Sequence, residues 1–221
     1  MKNNSSKTTV VCLILMVQVC FAWSQGFINL NFENPILPLS PSGGMVPTAN
    51  AIPGWTAYNG QAVQANIFYN GLSLGGSMVS LNDVNASGGG LNPRPIEGGY
   101  SAFMLGSFFS NPISAAIGQT GTISVGTQSL SFWAGGSGFV VTFNGQPINC
   151  FATGGAANYS IFAADISAYA GQTGELRFTS PAGATLLLDN IQFSSTAIPE
   201  PTTLSLFSLG LLALGWHWRK P

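Results

Sequence analysis

The chain has 221 residues, of which 46% are hydrophobic and only 6% charged, and its formal net charge is -1. Between Gln25 and Ala197 the only cations are Arg94 and Arg177, set against Glu33, Asp83, Glu97, Asp165, Glu175 and Asp189, so this stretch is mildly acidic. No basic patch exists to neutralise phosphates, which excludes nucleic acid as a partner. Gly, Ser, Thr, Asn and Gln fill the surface in place of the usual charges and make it neutral and hydrogen-bonding.

The N-terminus reads as an export signal. Lys2 and Lys7 precede an uncharged apolar stretch from Val10 to Phe21, and Ala22-Trp23-Ser24 supplies small residues at the cleavage positions. Residues 1–24 are therefore expected to form a signal-peptide helix cut after Ser24, too short to span a bilayer. Cys20 offers a lipoprotein alternative, but Val19 stands before it where a lipid-attachment site wants a small residue. Cys12 and Cys20 leave with the signal. Cys150 is then alone, without a partner for an intramolecular disulfide, and is expected to be buried as a small hydrophobe. The roughly 170 residues from 25 to 197 suffice for one core.

The chain's 28 glycines and 13 prolines, most of them in that body, and its short apolar runs argue against long helices there. Ile28, Leu30 and Phe32 alternate with Asn29 and Asn31 and predict a first strand. Residues 35–53, rich in Pro, Ser and Gly, predict a long loop. Leu130 and Phe132 alternate with serines, a glycine-rich loop covers 134–138, and Phe139, Val141 and Phe143 continue the pattern. Trp133, beside Phe132, is expected in the core. Asn144-Gly145 between two apolar runs is the strongest hairpin signal, because both turn positions need positive φ. Strands follow at 159–163, 175–179 and 185–193, with Asp165 capping a helical turn at 165–169. The spacing predicts an all-β single domain, a β-sandwich of jelly-roll type, over residues 25–197.

The candidate chemistry is sparse. Asp189 falls on the strand face of Leu187, Ile191 and Phe193, where an ionised carboxylate needs compensation. Two compensations are open: a structural calcium held with Glu33 and backbone carbonyls, or a pair with Arg177 or a backbone turn. Trp55 and Tyr58 are candidate ligand-binding aromatics, flat apolar faces that suit a sugar ring, although such residues also close sandwich cores. The only histidine, His217, lies in the tail, so the body holds no Ser-His-Asp arrangement. Nor does it hold a His or Cys cluster for a transition metal. Gly88-Gly89-Gly90 lacks the lysine of a phosphate loop. Two carboxylates could hydrolyse a glycoside, but nothing singles out a pair. The chain reads as a non-enzyme.

The C-terminal segment, 198–221, carries Pro199-Glu200-Pro201, an apolar run from Leu204 to Trp218, and Arg219-Lys220. These features resemble the PEP-CTERM sorting signal of Gram-negative exosortase substrates. The resemblance implies that Pro199, Glu200 and Pro201 are recognition residues and that the partners are an exosortase and the secretion machinery. It further implies a hydrophobic C-terminal helix that holds the chain transiently in the inner membrane, before transfer to the cell surface or an exopolysaccharide-rich extracellular matrix. The apolar run, shorter than the about 20 residues a bilayer needs, suits transient anchoring, with Arg219-Lys220 staying cytoplasmic. The end is less basic than is usual in the family, which leaves a plain unprocessed membrane anchor as the alternative.

The body resembles galactose-binding-like and carbohydrate-binding jelly rolls through Asn31-Phe32-Glu33-Asn34-Pro35, Ile52-Pro53-Gly54-Trp55, Leu130-Ser131-Phe132-Trp133 and Leu188-Asp189-Asn190-Ile191. In those relatives a calcium joins the first and last strands, which implies Glu33 and Asp189 as ligands here. The leading expectation is thus an exported, non-catalytic envelope or matrix protein. The alternatives are a module that binds exopolysaccharide through loop aromatics, and a glycoside-active enzyme.

Overall fold

The computed structural model describes residues 26–38, 43–86, 93–109 and 111–198. The expected signal-peptide helix, the Gly88-Gly89-Gly90 run, the Pro199-Glu200-Pro201 triplet and the C-terminal hydrophobic helix lie outside the described residues. Within them, no helix is long and apolar enough to cross a membrane.

In chain order the elements are β1 (Met45–Pro47), a helical turn α1 (Thr48–Ala51), β2 (Thr56–Asn59), β3 (Ala62–Gln64), β4 (Asn66–Tyr69), β5 (Met78–Asp83) and β6 (Tyr100–Leu105). Then come β7 (Ala115–Thr122), β8 (Ser129–Ser137), β9 (Val140–Phe143), β10 (Gln146–Pro147), β11 (Phe151–Ala156), β12 (Tyr159–Asp165), a 3-10 turn (Ser167–Tyr169), β13 (Thr173–Ser180) and β14 (Thr185–Ser194). They form two sheets, an eight-stranded one ordered β1-β4-β5-β6-β14-β8-β12-β11 and a six-stranded one ordered β10-β9-β13-β7-β2-β3. Pairing is antiparallel apart from β4 and β5, which run parallel. The all-β sandwich expected from the strand spacing is present.

Alternation explains which side chains meet between the sheets. In β13, Leu176 and Phe178 are buried at the interface while Glu175, Arg177 and Thr179 point the other way. In β8, Leu130, Phe132 and Ala134 face inward and meet Ala164, Phe162 and Ser160 of β12 across the ladder. Phe132 sits edge-on to Phe178 of the opposite sheet at 5.1 Å between ring centroids. Each such fully buried ring or Leu contributes about 1.5–3 kcal/mol of transfer free energy.

Turn chemistry sets the register where it was expected to. Asn144 (φ 49°) and Gly145 (φ 75°) make the tight turn that folds β10 onto β9, with Gln146 opposite Phe143. The returning strand is only two residues long, because residues 148–150 leave the ladder before β11 begins. Asp165 Oδ1 accepts the Ser167 N–H at 2.8 Å and caps the 3-10 turn.

Four expectations are corrected. Residues 28–32 form no strand, since Asn29 (φ 49°) and Phe32 (φ 58°) adopt left-handed backbone that breaks a ladder. The Gln119 side chain substitutes for a neighbouring strand, accepting the Ile28 N–H at 2.6 Å and donating to the Ile28 carbonyl at 3.0 Å. Within the expected long loop, residues 45–51 are ordered as β1 and α1. The third concerns the expected glycine-rich loop, of which residues 134–137 instead continue β8 and pair with β14. The fourth concerns the last strand. Asn190 (φ 46°) lies in a bulge of β14 against β8. Ile191 and Phe193 are therefore turned into the main core, while Asp189 and Leu187 stay on the outer face of the eight-stranded sheet.

Candidate functional site

That outer face is divided. Over β5, β6 and β14 it is roofed: Met78, Phe103, Leu105 and Leu187 form a second small core, against which Phe68, Leu72 and Ile96 pack. Asp189 lies under the same roof with no solvent exposure. Its Oδ2 accepts the Ser101 hydroxyl at 2.6 Å and the Glu97 N–H at 3.2 Å, and its Oδ1 accepts the Asn190 N–H at 2.7 Å. Burial pushes its pKa up to about 7, against the opposing pull of those donors.

Glu33 grips the same short segment from the other side, its Oε1 accepting the N–H groups of Gly99 at 2.9 Å and Tyr100 at 3.0 Å. A β-carbon on Gly98 (φ 58°) would run into the Glu33 carboxylate, so only glycine lets the carboxylate come this close. The structure thus brings Glu33 and Asp189 to one segment, residues 97–101, the end of a loop and the first two residues of β6. Among the described residues no three His, Cys, Asp or Glu side chains gather at metal-ligand spacing. The two carboxylates fit calcium as a pair of oxygen ligands only if backbone carbonyls complete the shell. Arg177, the other candidate partner of Asp189, is engaged with Glu175.

Trp55 and Tyr58 do not form a common surface. Trp55 is 4% exposed, its ring packed between Phe32 at 5.6 Å and Phe178 at 6.3 Å, and its Nε1–H donates to the Asn29 carbonyl. The turn at Gly54 (φ 85°) throws it inward, so no ring face is open to a sugar. Tyr58 points from the outer face of the six-stranded sheet. Its hydroxyl donates to Glu175 Oε1 at 2.9 Å, and the Arg177 guanidinium lies over its ring, 3.9 Å from the centroid. Arg177 also donates twice to the Glu175 carboxylate at 3.1 Å. One face of Tyr58 is thereby taken by a cation, and burial with the Glu175 contact raises its pKa.

Two features escaped the sequence reading. Asp83 is buried and accepts from the Tyr69 hydroxyl at 2.5 Å, from the Asn70 amide at 2.6 Å and from the Asn85 backbone at 2.7 Å. Burial pushes this carboxyl up, but its donors outweigh that and hold it below the usual carboxylate range. The crowding of Asn and Tyr about one acid in Phe68-Tyr69-Asn70 and Asn82-Asp83-Val84-Asn85 was the available signal. The second feature is Trp133. It stands outward beside inward-facing Phe132 and is half-buried rather than in the core. Its ring stacks on Tyr159 of β12 with centroids 4.7 Å apart and planes 9° from parallel.

Among the described residues, no second core lies above this half of the outer face, over β8, β12 and β11. Ile161 lies opposite Trp133 on the same face, and Gly154 of the exposed edge strand β11 pairs with Ile161. Ser131, two residues along β8, lies opposite Gln192, whose amide donates to Asn190 Oδ1 at 2.7 Å. The result is an aromatic pair with amides and a hydroxyl at its margin.

Beyond the sandwich, residues 197–220 match the family described as the PEP-CTERM protein-sorting motif. The chain carries that sorting motif. A search of curated proteins finds no match. Among solved structures, the chain is similar to an apo-form cyclase from Fischerella sp. at 16% identity and a TM-score of 0.47, covering 79% of this chain and 98% of that one. It is also similar to the Stig cyclase Fisc from Fischerella sp. TAU, in complex with (3Z)-3-(1-methyl-2-pyrrolidinylidene)-3H-indole. There the identity is 17% and the TM-score 0.46, over 77% of this chain and 96% of that one. TmCBM61 in complex with beta-1,4-galactotriose is similar at 14% identity and a TM-score of 0.39, over 77% and 99% of the two chains. At such low identities and scores, nothing about ligand or chemistry passes from these proteins to this chain.

Proposed function

We propose that this is an exported, non-catalytic envelope or extracellular-matrix protein. An exosortase recognises Pro199, Glu200 and Pro201 and processes the chain near them, after transient anchoring of residues 198–221 in the inner membrane of a Gram-negative cell. The observation that carries the reading is the PEP-CTERM protein-sorting motif at 197–220. The connection to the body supports it. The Ser194 carbonyl accepts the Gln128 N–H at 2.8 Å and the Thr196 carbonyl accepts the Ser129 hydroxyl at 2.8 Å, so the sandwich is closed just before the triplet. Only Ala197 and Ile198 separate this closure from the triplet in sequence. Replacing Pro199-Glu200-Pro201 by three alanines tests the reading: the full-length chain is expected to accumulate in the membrane fraction. Unaltered processing and release would overturn it.

Within this reading, Glu33 and Asp189 take up a structural calcium with carbonyls of the 97–101 segment. Support comes from the two carboxylates that close on one segment. Calcium is expected to raise the melting temperature of the protein and a chelator to lower it, with Asp189→Asn removing the difference.

The second reading, a carbohydrate-binding module that engages exopolysaccharide, is favoured by one observation, the half-exposed Trp133–Tyr159 stack on the unroofed half of the sheet. Flat aromatic faces beside amide and hydroxyl groups suit the C–H faces and hydroxyl edges of sugars. A glycan array probed with wild-type protein and with Trp133→Ala tests it. Binding lost in the variant supports the module, and absence of any bound glycan removes it.

A further inference from the structure

Where the β8–β9 turn and the connection from β10 to β11 leave the margins of the two sheets, they enclose an open cavity of about 410 Å³. That size falls in the range of about 300–1,000 Å³ typical of small-molecule sites. The sandwich explains why a space remains. β10 is only two residues long, so the six-stranded sheet stops short beside β9, and residues 148–150 cross toward β11 instead of filling the gap. The inner wall is apolar and fixed. Val141 and Ile148 are buried members of the main core, and Phe139 meets Phe162 edge-on at 4.8 Å and Phe132 at 5.7 Å. Interlocked rings of this kind hold the wall open in one shape.

The rim differs in chemistry. Gly136 (φ 97°) and Gly138 (φ 76°) shape one lip around the Ser137 hydroxyl, and Asn149 stands on the other. A β-carbon on Gly136 would collide with the Thr185 carbonyl, so the lip has a backbone path reserved for glycine. None of the residues that line the cavity carries a formal charge. Cys150 also lines it, half-buried, and donates its thiol weakly to the Ile148 carbonyl at 3.6 Å. Burial pushes that thiol up to about 12, so it is neutral at physiological pH and presents a soft apolar surface rather than a nucleophile.

We propose that this cavity is a binding site for a small uncharged molecule with an apolar, ring-like body and one hydrogen-bonding group held at the Ser137–Asn149 rim. An ionised ligand would enter an apolar wall with no counter-charge, which is strongly unfavourable. A flat apolar body instead meets Phe139 and Phe162 and gains the free energy of leaving water. The site is independent of the sorting tail and of the Trp133–Tyr159 face, which lies on the other side of the eight-stranded sheet.

The neutral dye N-phenyl-1-naphthylamine is the test probe, applied to the purified protein. Saturable fluorescence enhancement at one dye per chain is expected. Cys150→Phe fills the cavity, and Ser137→Trp covers its mouth from an exposed position. Each is expected to weaken dye binding at least tenfold, with circular dichroism confirming the fold, so that one folded variant suffices. No saturable dye binding, or unchanged affinity in a folded variant, would overturn the proposal.

Discussion

Trp55 and Trp133 are the same residue in two regions with opposite fates. Trp55 follows Pro53-Gly54, a context that suggests a surface loop, yet it lies between the sheets at 4% exposure. Trp133 sits in the middle of a strand beside Phe132, a context that suggests core, yet it stands on the outer face and stacks on Tyr159. The difference teaches that an aromatic residue is available to a ligand according to what covers its face of the sheet. A left-handed Gly54 turns the first ring inward. The second is half-open, whereas over β5, β6 and β14 Phe68, Leu72 and Ile96 pack onto the small outer core.

The comparison is broken most easily at Trp55. Truncation to alanine leaves a large void among Phe32 and Phe178 and takes the indole N–H from the Asn29 carbonyl, and is expected to cost about 3–5 kcal/mol by urea denaturation. Asp189→Ala probes the roofed half of the outer face. It strips the Ser101 hydroxyl and the Glu97 N–H of their acceptor, and a loss of about 3 kcal/mol is expected.

The titration of Asp189 sharpens the same point. Its folded pKa of about 7 lies above the ordinary carboxylate value, so the folded protein holds a proton that the unfolded chain releases. The contribution of this group to stability is present at low pH and is lost as pH rises through about 7. Relative to Asp189→Asn, the wild type is expected to lose on the order of 2 kcal/mol between pH 4 and pH 7 in the absence of calcium. A flat difference across that window would contradict a buried carboxylate whose three donors fail to offset its desolvation. The smallest effect is expected at Trp133→Ala, within about 1 kcal/mol of wild type by the same denaturation assay, since the ring is only half-buried. A loss as large as that of Trp55→Ala would place both rings in the core and remove the contrast.

Much of the sandwich was legible because period-two patterning and turn residues act locally. Leu176 and Phe178 in β13, the Asn144-Gly145 turn and the Asp165 cap are each decided within a few residues. What was hidden depends on partners distant in sequence. Ile28 to Phe32 have the alternation of a strand, but Gln119, 91 residues away from Ile28, takes the backbone groups that a neighbouring strand would use. The parity of β14 predicted one face for Asp189, Ile191 and Phe193, and a single bulge at Asn190 divided them. Glu33 and Asp189 were legible as residues that share a neighbourhood, but the segment between them was not, because residues 97–101 carry no patterned signal. Arg177 could be read as a partner for Asp189, yet its own strand places Glu175 two residues away on the same face, the shorter path. The cavity around Phe139 and Phe162 was not legible at all, since it arises from how two strand connections leave the sheets.

The decisive measurement is the intact mass of the protein recovered from its native cells. A mature chain that begins at Gln25 and ends near Pro199 is the predicted result, and it would establish export followed by processing at the sorting motif. A recovered chain that retains Leu204 to Trp218 and the terminal Arg219-Lys220-Pro221 would contradict processing and leave the tail as a permanent anchor.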